Sequence, residues 1–327
     1  MKVLVTGSAG HLGEGLVRTL RHLQYEVVAL DIQASAFTTH RGSVTDRAFV
    51  RRCMEGVQTV FHAATLHKPH VVTHSQQQFI DTNISGTLNL LQEAVAAGVE
   101  RFIFTSTTSV FGDALVPPPA APAAWITEEV QPVPKNIYGV TKAAAEDFCQ
   151  LYYRNYGLPC IVLRTSRFFP EADDNRRMRE SYTDDNLKTN EYLFRRVDLE
   201  DAVSAHLAAA ARAADIGFGT YIISATTPFL PEDMARLRHD APAVLQQRAP
   251  AYAAEYARRG WKMFPGIDRV YVNRCARAAL GWQPRHDFNA VVERLQAGSQ
   301  LQSPLARLVG IKGYHTETFS EGPYPVE

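Results

Sequence analysis

The sequence predicts an α/β protein with a doubly wound parallel sheet and a smaller C-terminal α/β lobe. Short apolar runs alternate with amphipathic helical patterns through the first half of the chain, and this alternation loosens after Thr165. Strands that alternate with helices favour a parallel sheet covered on both faces. The chain has 327 residues, which is enough for one large α/β domain or two modest ones.

Six strands are predicted from short apolar runs, and five helices from apolar residues at helical spacing. The third helix has a clear end, because Gly98 follows it and glycine is favoured just after a helix. The predicted strands are residues 2–6, 26–31, 59–62, 101–106, 159–164 and 219–224. The predicted helices are residues 13–23, 47–55, 79–97, 142–156 and 199–213.

Charge and cysteine content narrow the possible partners and location. The 34 basic and 34 acidic side chains balance, so no global field draws the chain to nucleic acid or to an anionic membrane. The four cysteines lie far apart, which favours reduced thiols. The apolar N-terminus is too short for a signal peptide, and no apolar run reaches the roughly 18 residues of a membrane span. We expect a cytoplasmic protein that binds neither nucleic acid nor membrane.

A glycine-rich turn connects the first strand to the first helix. Gly7, Gly10 and Gly13 stand where the backbone must approach a pyrophosphate at a helix N-terminus. Asp31 ends the second strand about 20 residues on, where an acid binds the adenosine ribose and repels a 2′-phosphate. Because Ile32 and Gln33 supply no cation for that phosphate, the sequence predicts a Rossmann domain that binds NAD rather than NADP.

The domain boundaries follow from this assignment. We expect residues 1–168 to form the NAD-binding domain, with residues 197–225 returning to it, and residues 169–196 and 226–327 to form a substrate-binding lobe. Residues 116–124 contain four prolines and predict an extended loop. Residues 171–186 are dense in charge and predict a solvated loop.

Tyr138 and Lys142 form the candidate chemical pair. Four residues apart, they share one face of a helix. Free tyrosine has a pKa of about 10, and a nearby lysine with a cationic nicotinamide favours the phenolate. A phenolate can take the proton of a substrate hydroxyl while hydride leaves for the nicotinamide.

Hydroxyl side chains end the strand that precedes this pair. Residues 105–109 read Thr-Ser-Thr-Thr-Ser, and the carboxyl ends of parallel strands are where ligands bind in such sheets. One of these hydroxyls can hydrogen-bond the reacting oxygen; the alternative is a hydroxyl-rich turn with local backbone bonds.

Several ordered motifs resemble the extended short-chain dehydrogenase/reductase family, in particular its NAD-dependent epimerase/dehydratase branch, which includes UDP-glucose 4-epimerases. The resemblance covers nearly the whole chain. The matching segments are the glycine loop 6–13, residues 62–64 along the cofactor, the N-x-x-G-T helix 83–87, the strand end 106–112, the Tyr138 and Lys142 pair, and the L-G-W-x-P segment 280–284.

The resemblance implies roles for individual residues. Thr107, Tyr138 and Lys142 would be catalytic, with Thr107 orienting the substrate oxygen. It also implies a homodimer in which helices 79–97 and 142–156 pair across a two-fold axis. The implied NAD contacts are Gly7, Gly10, His11, Leu12, Gly13, Asp31, Ile32, Ser43, Val44, Ala63, Ala64, His67, Asn83, Thr105, Tyr138, Lys142 and Thr165.

Departures from the family pattern bear on the substrate. No acid follows Thr107, which argues against a dehydratase, and Ser43 stands where the family often has an acid. Arg167 stands where the family has an asparagine that helps to hold a nucleotide-sugar; a guanidinium there would suit a carboxylate or phosphate, or would be merely structural. The expected substrate contacts are Thr107, Thr108, Arg167 and Arg196, and Arg195 is a further possible anion binder.

A histidine cluster raises the question of a metal. His67, His70 and His74 have the spacing of one helical face. Because no acid or cysteine completes the set and Pro69 interrupts an early helix, we expect no metal, and we expect His67 to line the cleft beside the nicotinamide ribose.

Three functions remain open from the sequence. The first is an NAD-dependent epimerase that acts on a sugar or nucleotide-sugar through a keto intermediate. The second is an NAD-dependent dehydrogenase or reductase of a sugar, sugar acid or other alcohol. The third is a nucleotide-binding regulator without turnover, against which the intact Thr107, Tyr138 and Lys142 count.

Overall fold

The computed structural model describes residues 1–313, 319 and 322. Within this part of the chain, seven strands form one parallel sheet and two short strands form another. The large sheet contains β1 (Lys2–Thr6), β2 (Glu26–Asp31), β3 (His40–Arg41), β4 (Thr59–His62), β5 (Arg101–Thr107), β7 (Cys160–Thr165) and β8 (Phe218–Ile223). The small sheet pairs β6 (Ala124–Ile126) with β9 (Arg269–Tyr271).

The strand order across the large sheet is β3-β2-β1-β4-β5-β7-β8. The chain moves outward from β1 in one direction and from β4 in the other, which is the doubly wound arrangement predicted from the sequence. All six predicted strands are present, whereas β3, β6 and β9 are too short to stand out as apolar runs.

Helices cover both faces of the large sheet, and the remainder build the C-terminal lobe. None of the described helices combines the length and apolar character needed to cross a bilayer. In chain order the helices are α1 (His11–His22), α2 (Arg47–Cys53), α3 (Gln76–Phe79), α4 (Gly86–Ala96), α5 (Ile137–Tyr156), α6 (Arg176–Ser181), α7 (Asp184–Glu191), α8 (Leu199–Ile216), α9 (Met234–Leu237), α10 (Ala241–Arg248), α11 (Tyr252–Arg259), α12 (Arg274–Leu280), α13 (Phe288–Gln296) and α14 (Pro304–Val309).

The two faces of the sheet carry separate apolar cores. Along β1, Val3 and Val5 pack toward α1 and α8, and Leu4 packs toward α2, α4 and α5, as the alternation of side chains along a strand requires. The C-terminal lobe has a third core, in which Phe229 and Phe288 are fully buried. The segment 280–284 connects the lobe to the helices that cover the sheet. The indole nitrogen of Trp282 donates to Ser204 of α8 at 2.9 Å, and the ring is part of the core between α8 and the sheet.

Three predictions of local structure differ from what is observed. The predicted 142–156 helix begins earlier, at Ile137, because Asn136 caps it by accepting a hydrogen bond from the Gly139 amide at 3.1 Å. The predicted 79–97 helix is interrupted by a π-helical turn over Ile80–Ser85. The predicted solvated loop 171–186 instead contains α6 and the start of α7, and Asp173 is only 4% exposed because its charge is paired with Arg167.

Candidate active site

The carboxyl ends of the central strands open onto one cleft of about 620 Å³. Fifteen of the seventeen residues predicted to contact NAD line this cleft. The other two, Asn83 and Lys142, are buried behind its wall, each 2% exposed. Thr107, Thr108 and Arg167 line the same cleft, so the sequence-predicted cofactor and substrate residues share one site.

Two positions of the glycine loop, Gly7 and Gly13, leave no room for a side chain. Gly7 has a φ of +73°, and a Cβ there would lie 2.8 Å from the Ala64 amide nitrogen. A Cβ on Gly13 would lie 1.9 Å from the Gly7 carbonyl oxygen. The backbone therefore forms a tight turn before the N-terminus of α1, and the N-terminus of a helix is a favourable site for a phosphate.

Asp31 is held in place at the end of β2. Its carboxylate accepts hydrogen bonds from the Ala9 amide at 3.0 Å and from the Gln33 amide at 2.8 Å. The acid is thereby fixed beside the glycine loop, and its remaining lone pairs suit a ribose diol. The loop and this acid together fit the adenosine and pyrophosphate of NAD.

Replacing Asp31 with alanine should lower NAD affinity by about 10- to 100-fold, since hydrogen bonds to a charged group contribute roughly 1.5–3 kcal/mol. Discrimination against NADP should relax at the same time, because the repulsion of a 2′-phosphate is removed. Fluorescence titration with both nucleotides measures this, with the exposed Asp215→Ala as the control. A wild-type chain that prefers NADP would refute the assignment.

His62 anchors the turn that follows β4. It is 1% exposed, and burial holds its pKa well below the usual range, with Lys142 acting in the same direction. Thr87 donates to the Asn83 carbonyl oxygen at 2.7 Å, so it accepts from Nε2 of the neutral ring. Thr6 then donates to Nδ1 and accepts from the amides of residues 63 and 64. The histidine therefore fixes the cleft wall rather than reacting.

Asn83 connects this wall to the helix that carries the tyrosine. Its amide oxygen accepts from the Leu66 amide at 2.9 Å, and its nitrogen donates to the Thr141 hydroxyl at 3.0 Å. The π-helical turn over Ile80–Ser85 contains this residue, and such turns are frequent at functional sites. Asn83 therefore ties the segment after β4 to the tyrosine helix.

Tyr138 faces the cleft beside the end of β5. Burial raises the pKa of its phenol to about 12, while its hydrogen bond with Thr107 lowers it. Thr107 also accepts a hydrogen bond from the Ser109 amide at 3.1 Å, which fixes its rotamer. The depression of the Tyr138 pKa expected from the sequence is therefore not produced by the chain's own groups, and a cationic nicotinamide would have to contribute to it.

Lys142 lies one helical turn behind the tyrosine. Burial lowers its pKa to about 7, although Glu146 opposes that shift. Its Nζ lies 3.9 Å from the centre of the Phe104 ring, a cation–π arrangement. Near neutral pH this amine is therefore divided between its charged and uncharged forms.

A buried ion pair between Glu146 and Arg164 links the middle of α5 to the sheet. Glu146 accepts from Arg164 of β7 at 2.7 Å and from the Ser106 hydroxyl at 2.5 Å. Both charged residues are less than 10% exposed. Breaking one partner of a buried pair is strongly destabilising, so this contact locks α5 against β5 and β7.

The arginines near the substrate end have different positions. Arg167 lines the cleft, and its guanidinium lies 2.8 Å from Asp173 and 3.7 Å from Glu191. Arg196 is 4% exposed and donates to the Phe169 carbonyl oxygen and to Glu191. Arg196, also predicted to contact the substrate, therefore lies behind the residues that line the cleft.

Several cleft residues were missed from the sequence. Arg269 and Tyr271 line the cleft from β9, and Ser166 from the end of β7. Arg269 and Tyr271 alternate with a buried valine, but a strand of three residues is too short for that alternation to be detected in the sequence.

The C-terminal segment also reaches the cleft. The amides of Lys312 and Gly313 donate to Glu171 at 3.0 and 3.3 Å, and the Lys312 ammonium contacts Glu14 of α1. Glu171 lies 2.8 Å from Nε2 of His11. Although burial opposes ionisation of Glu171, its contacts with His11 and Lys312 lower its pKa. We call these five residues the C-terminal clasp.

Glu171→Gln should speed NAD release by about tenfold, because the neutral amide holds His11 and the 312–313 amides more weakly. Stopped-flow displacement of bound NAD measures the release rate. Glu180→Gln, an exposed acid of α6 paired with Arg176, is the matched control. An unchanged release rate would show that the clasp does not retain the cofactor.

The histidine cluster lines the cleft, and its neighbouring rings meet edge to face. The ring centres of His67 and His70 lie 4.7 Å apart, those of His70 and His74 4.9 Å, and those of His67 and Tyr138 6.5 Å. Over residues 1–313, 319 and 322, no group of three histidine, cysteine, aspartate or glutamate side chains is placed to hold a metal ion.

The model of the NAD dependent epimerase/dehydratase family matches residues 3–223. The chain is 28% identical over 185 residues to a uronate dehydrogenase of Pseudomonas syringae, and 29% identical over 189 residues to a UDP-glucose 4-epimerase of Streptomyces lividans. These alignments span 54% of this chain in each case, and 63% and 54% of the two relatives.

Solved structures share the fold over most of the chain. A UDP-N-acetylglucosamine 4-epimerase from Bacillus cereus superposes with a TM-score of 0.62 at 19% identity, covering 91% of this chain and 98% of that one. A UDP-glucose 4-epimerase from Thermus thermophilus, solved in complex with NAD, gives 0.60 at 22% identity, covering 90% and 99%.

Proposed function

Because the chain belongs to the NAD-dependent epimerase/dehydratase family, we propose that it is an NAD-dependent epimerase that acts on a sugar or nucleotide-sugar through a keto intermediate. The family and the doubly wound fold predicted from the sequence are confirmed. The activity is carried by one observation: Tyr138 and Thr107 line the same cleft as the glycine loop and Asp31, at the end of β5.

The chain's own groups perform the proton chemistry. When bound, NAD supplies a reversible hydride acceptor, which converts a secondary alcohol into a ketone and back. Thr107 holds the substrate oxygen, and Tyr138 removes the hydroxyl proton and later returns it. Lys142 supplies positive charge behind the phenol. Thr108 and Ser109 follow Thr107 without an acid, so elimination of water has no evident catalyst at these positions.

Retention of the cofactor favours an epimerase over a dehydrogenase. An epimerase regenerates its oxidised cofactor within each turnover and has no need to release it. The C-terminal clasp lies across the N-terminus of α1 and buries His11 and Glu171, each about 5% exposed. This arrangement supports slow exchange of NAD.

Dialysis followed by a substrate panel tests the proposal. We expect purified protein to retain NAD, seen by its absorbance near 260 nm after denaturation, and to interconvert epimers of a sugar or nucleotide-sugar without accumulating NADH. Steady NADH production from an alcohol in the panel would reject the epimerase.

A second candidate is an NAD-dependent dehydrogenase of a sugar, sugar acid or other alcohol. Arg167 in place of the family's asparagine favours it, as does the similarity to a uronate dehydrogenase. The same panel distinguishes the two, because only the dehydrogenase gives NADH in proportion to substrate consumed.

The proposed assembly is a homodimer through α4 and α5, in the cytoplasm. Val140, Tyr153 and Tyr156 on α5 are 48%, 37% and 59% exposed, which leaves apolar area available for a partner. The four cysteines are free thiols, which suits a reducing compartment.

Light scattering should therefore give the mass of a dimer at micromolar concentration. Tyr156→Glu, which places a charge at the exposed end of α5, should shift the mass toward that of a monomer, whereas Leu308→Glu on the exposed surface of α14 should not. A monomeric wild-type protein would contradict the assembly.

A further inference from the structure

A fully buried histidine of α8 lies against the strand that carries Thr107. His206 is 0% exposed, and its Nε2 lies 2.8 Å from the hydroxyl oxygen of Thr105 in β5. Its Nδ1 lies 2.7 Å from the carbonyl oxygen of Ala202, one turn earlier in the same helix. The helix otherwise packs on this face of the sheet with alanine and valine side chains. A polar pair inside an apolar core is costly unless it is hydrogen-bonded, and both ring nitrogens have a partner here.

The hydrogen bonds of His206 determine how the Thr105 hydroxyl is used. Burial lowers the pKa of His206 to about 4, although the bond to Ala202 opposes this shift, so the ring is neutral near neutral pH. A carbonyl oxygen can only accept, so Nδ1 carries the ring proton and Nε2 is left as an acceptor. The Thr105 hydroxyl therefore donates its proton to Nε2 and keeps only lone pairs for other partners.

Thr105 reaches the cleft although it lies within the sheet. Ile103, Thr105 and Thr107 share one face of β5, because side chains alternate along a strand. Ile103 is packed in the core between the sheet and α8, whereas Thr105 is only partly buried and lines the cleft. A cleft residue whose hydroxyl proton is held by His206 offers a ligand an acceptor and no donor.

The position of Thr105 favours the nicotinamide end of NAD as that ligand. The glycine loop after β1 and Asp31 after β2 fit the pyrophosphate and the adenosine, and β4 and β5 follow on the other side of β1 in the sheet. Hydride transfer requires the nicotinamide to lie beside Tyr138 and Thr107, and Thr105 lies two residues, roughly 7 Å, before Thr107 along the strand. The ring carries a carboxamide, whose nitrogen has two protons to donate.

We propose that Thr105 accepts a hydrogen bond from the carboxamide nitrogen of the nicotinamide, and that His206 is the positioning residue that keeps Thr105 an acceptor. A threonine without such a partner can rotate its hydroxyl and present either a donor or an acceptor. A fixed acceptor distinguishes the carboxamide nitrogen from the carboxamide oxygen and thereby favours one orientation of the group. The inference concerns the cofactor alone and applies to an epimerase and to a dehydrogenase.

Competition between NAD and an analogue without amide protons tests this inference in the full chain. The analogue is 3-acetylpyridine adenine dinucleotide, which has a methyl group in place of the carboxamide nitrogen. The protein is equilibrated with equal concentrations of both nucleotides, separated from free nucleotide and denatured, and chromatography of what it releases gives the bound ratio. The wild type should hold at least about fivefold more NAD than analogue, which corresponds to one hydrogen bond.

Thr105→Val should lower this ratio at least about fivefold, because valine keeps the shape of threonine and removes the acceptor. Thr59→Val is the matched control, since Thr59 is a fully buried threonine at the amino end of β4 whose hydroxyl has no partner among the described residues. The control should keep the wild-type ratio.

His206→Leu should lower the ratio at least about threefold, because the Thr105 hydroxyl is then free to rotate. His206→Gln should stay within about twofold of the wild type, since its amide oxygen can take the place of Nε2 as the acceptor. A thermal melt of each variant checks that it is folded.

A wild-type ratio in folded Thr105→Val overturns the inference. So does a wild-type ratio in folded His206→Leu, or an equal loss in the leucine and glutamine variants, which is the result expected of a histidine that only fills space. Because the measurement needs no substrate, its outcome is independent of whether the protein proves to be an epimerase.

Discussion

Tyr138→Phe should lower turnover by on the order of 10³-fold while NAD affinity changes by no more than about twofold. General acid–base groups typically contribute 10²- to 10⁴-fold to rate. The phenol lines the cleft beside Thr107, and we assign it the proton transfer. Its ring is 8% exposed and keeps its packing as phenylalanine.

The folded state should tolerate this change well. The variant loses only the phenol hydroxyl, and Thr107 still accepts from the Ser109 amide. Burial raises the pKa of the phenol from 10 to about 12 in the folded chain, so the unfolded chain releases this proton first as pH rises. The wild type should therefore lose stability between about pH 10 and pH 12. The variant should lack this alkaline loss.

Initial rates on the substrate found in the panel, together with fluorescence titration of NAD, measure the two effects. Tyr156→Phe, an exposed tyrosine at the end of the same helix, is the matched control. Residual turnover above about one tenth of the wild type would remove Tyr138 as the proton-transfer group.

The half of the site contributed by local pattern was predictable from the sequence. The glycine loop, Asp31 and the Tyr138 helix each depend on residues within one strand–turn–helix unit, so spacing alone places them. The strand order then brings them to one edge of the sheet, because parallel strands end on the same side.

The other half depends on contacts between distant segments. Arg269 reaches the cleft because β9 pairs with β6, about 145 residues earlier, and neither three-residue strand has a detectable period. Glu171 and Asp173 looked solvated, since no local pattern shows that His11 and Arg167 will neutralise them. A dense run of charged residues therefore predicts exposure only where no distant residue pairs with those charges.

Lys142→Met should separate stability from activity. The ammonium is 2% exposed, and burial lowers its pKa from 10.5 to about 7. Between pH 7 and pH 10.5 the folded chain binds fewer protons than the unfolded chain, so the free energy of unfolding rises with pH. Below pH 7 the folded chain bears the full free-energy cost of burying the ammonium charge. Methionine has a similar length and no charge to bury.

At pH 6 the free energy of unfolding should therefore increase by about 1–4 kcal/mol, the range seen when buried ionic groups are replaced by apolar ones. The gain is reduced by the lost contact with the Phe104 ring, and Glu146 keeps Arg164 as its partner. Turnover should fall at least about 100-fold, because the proposed catalytic amine one helical turn behind the phenol is removed.

Urea unfolding at pH 6 and pH 9, combined with initial rates, measures both consequences. The stability gain should shrink at pH 9, where the wild-type amine is already neutral in the folded chain, whereas the exposed control Lys135→Met should change neither quantity. Wild-type turnover would exclude a catalytic role for the amine. A loss of stability in the variant at pH 6 would instead show that the contacts of Lys142 stabilise the fold by more than the burial of its charge destabilises it. The lysine would then serve the fold as well as the chemistry.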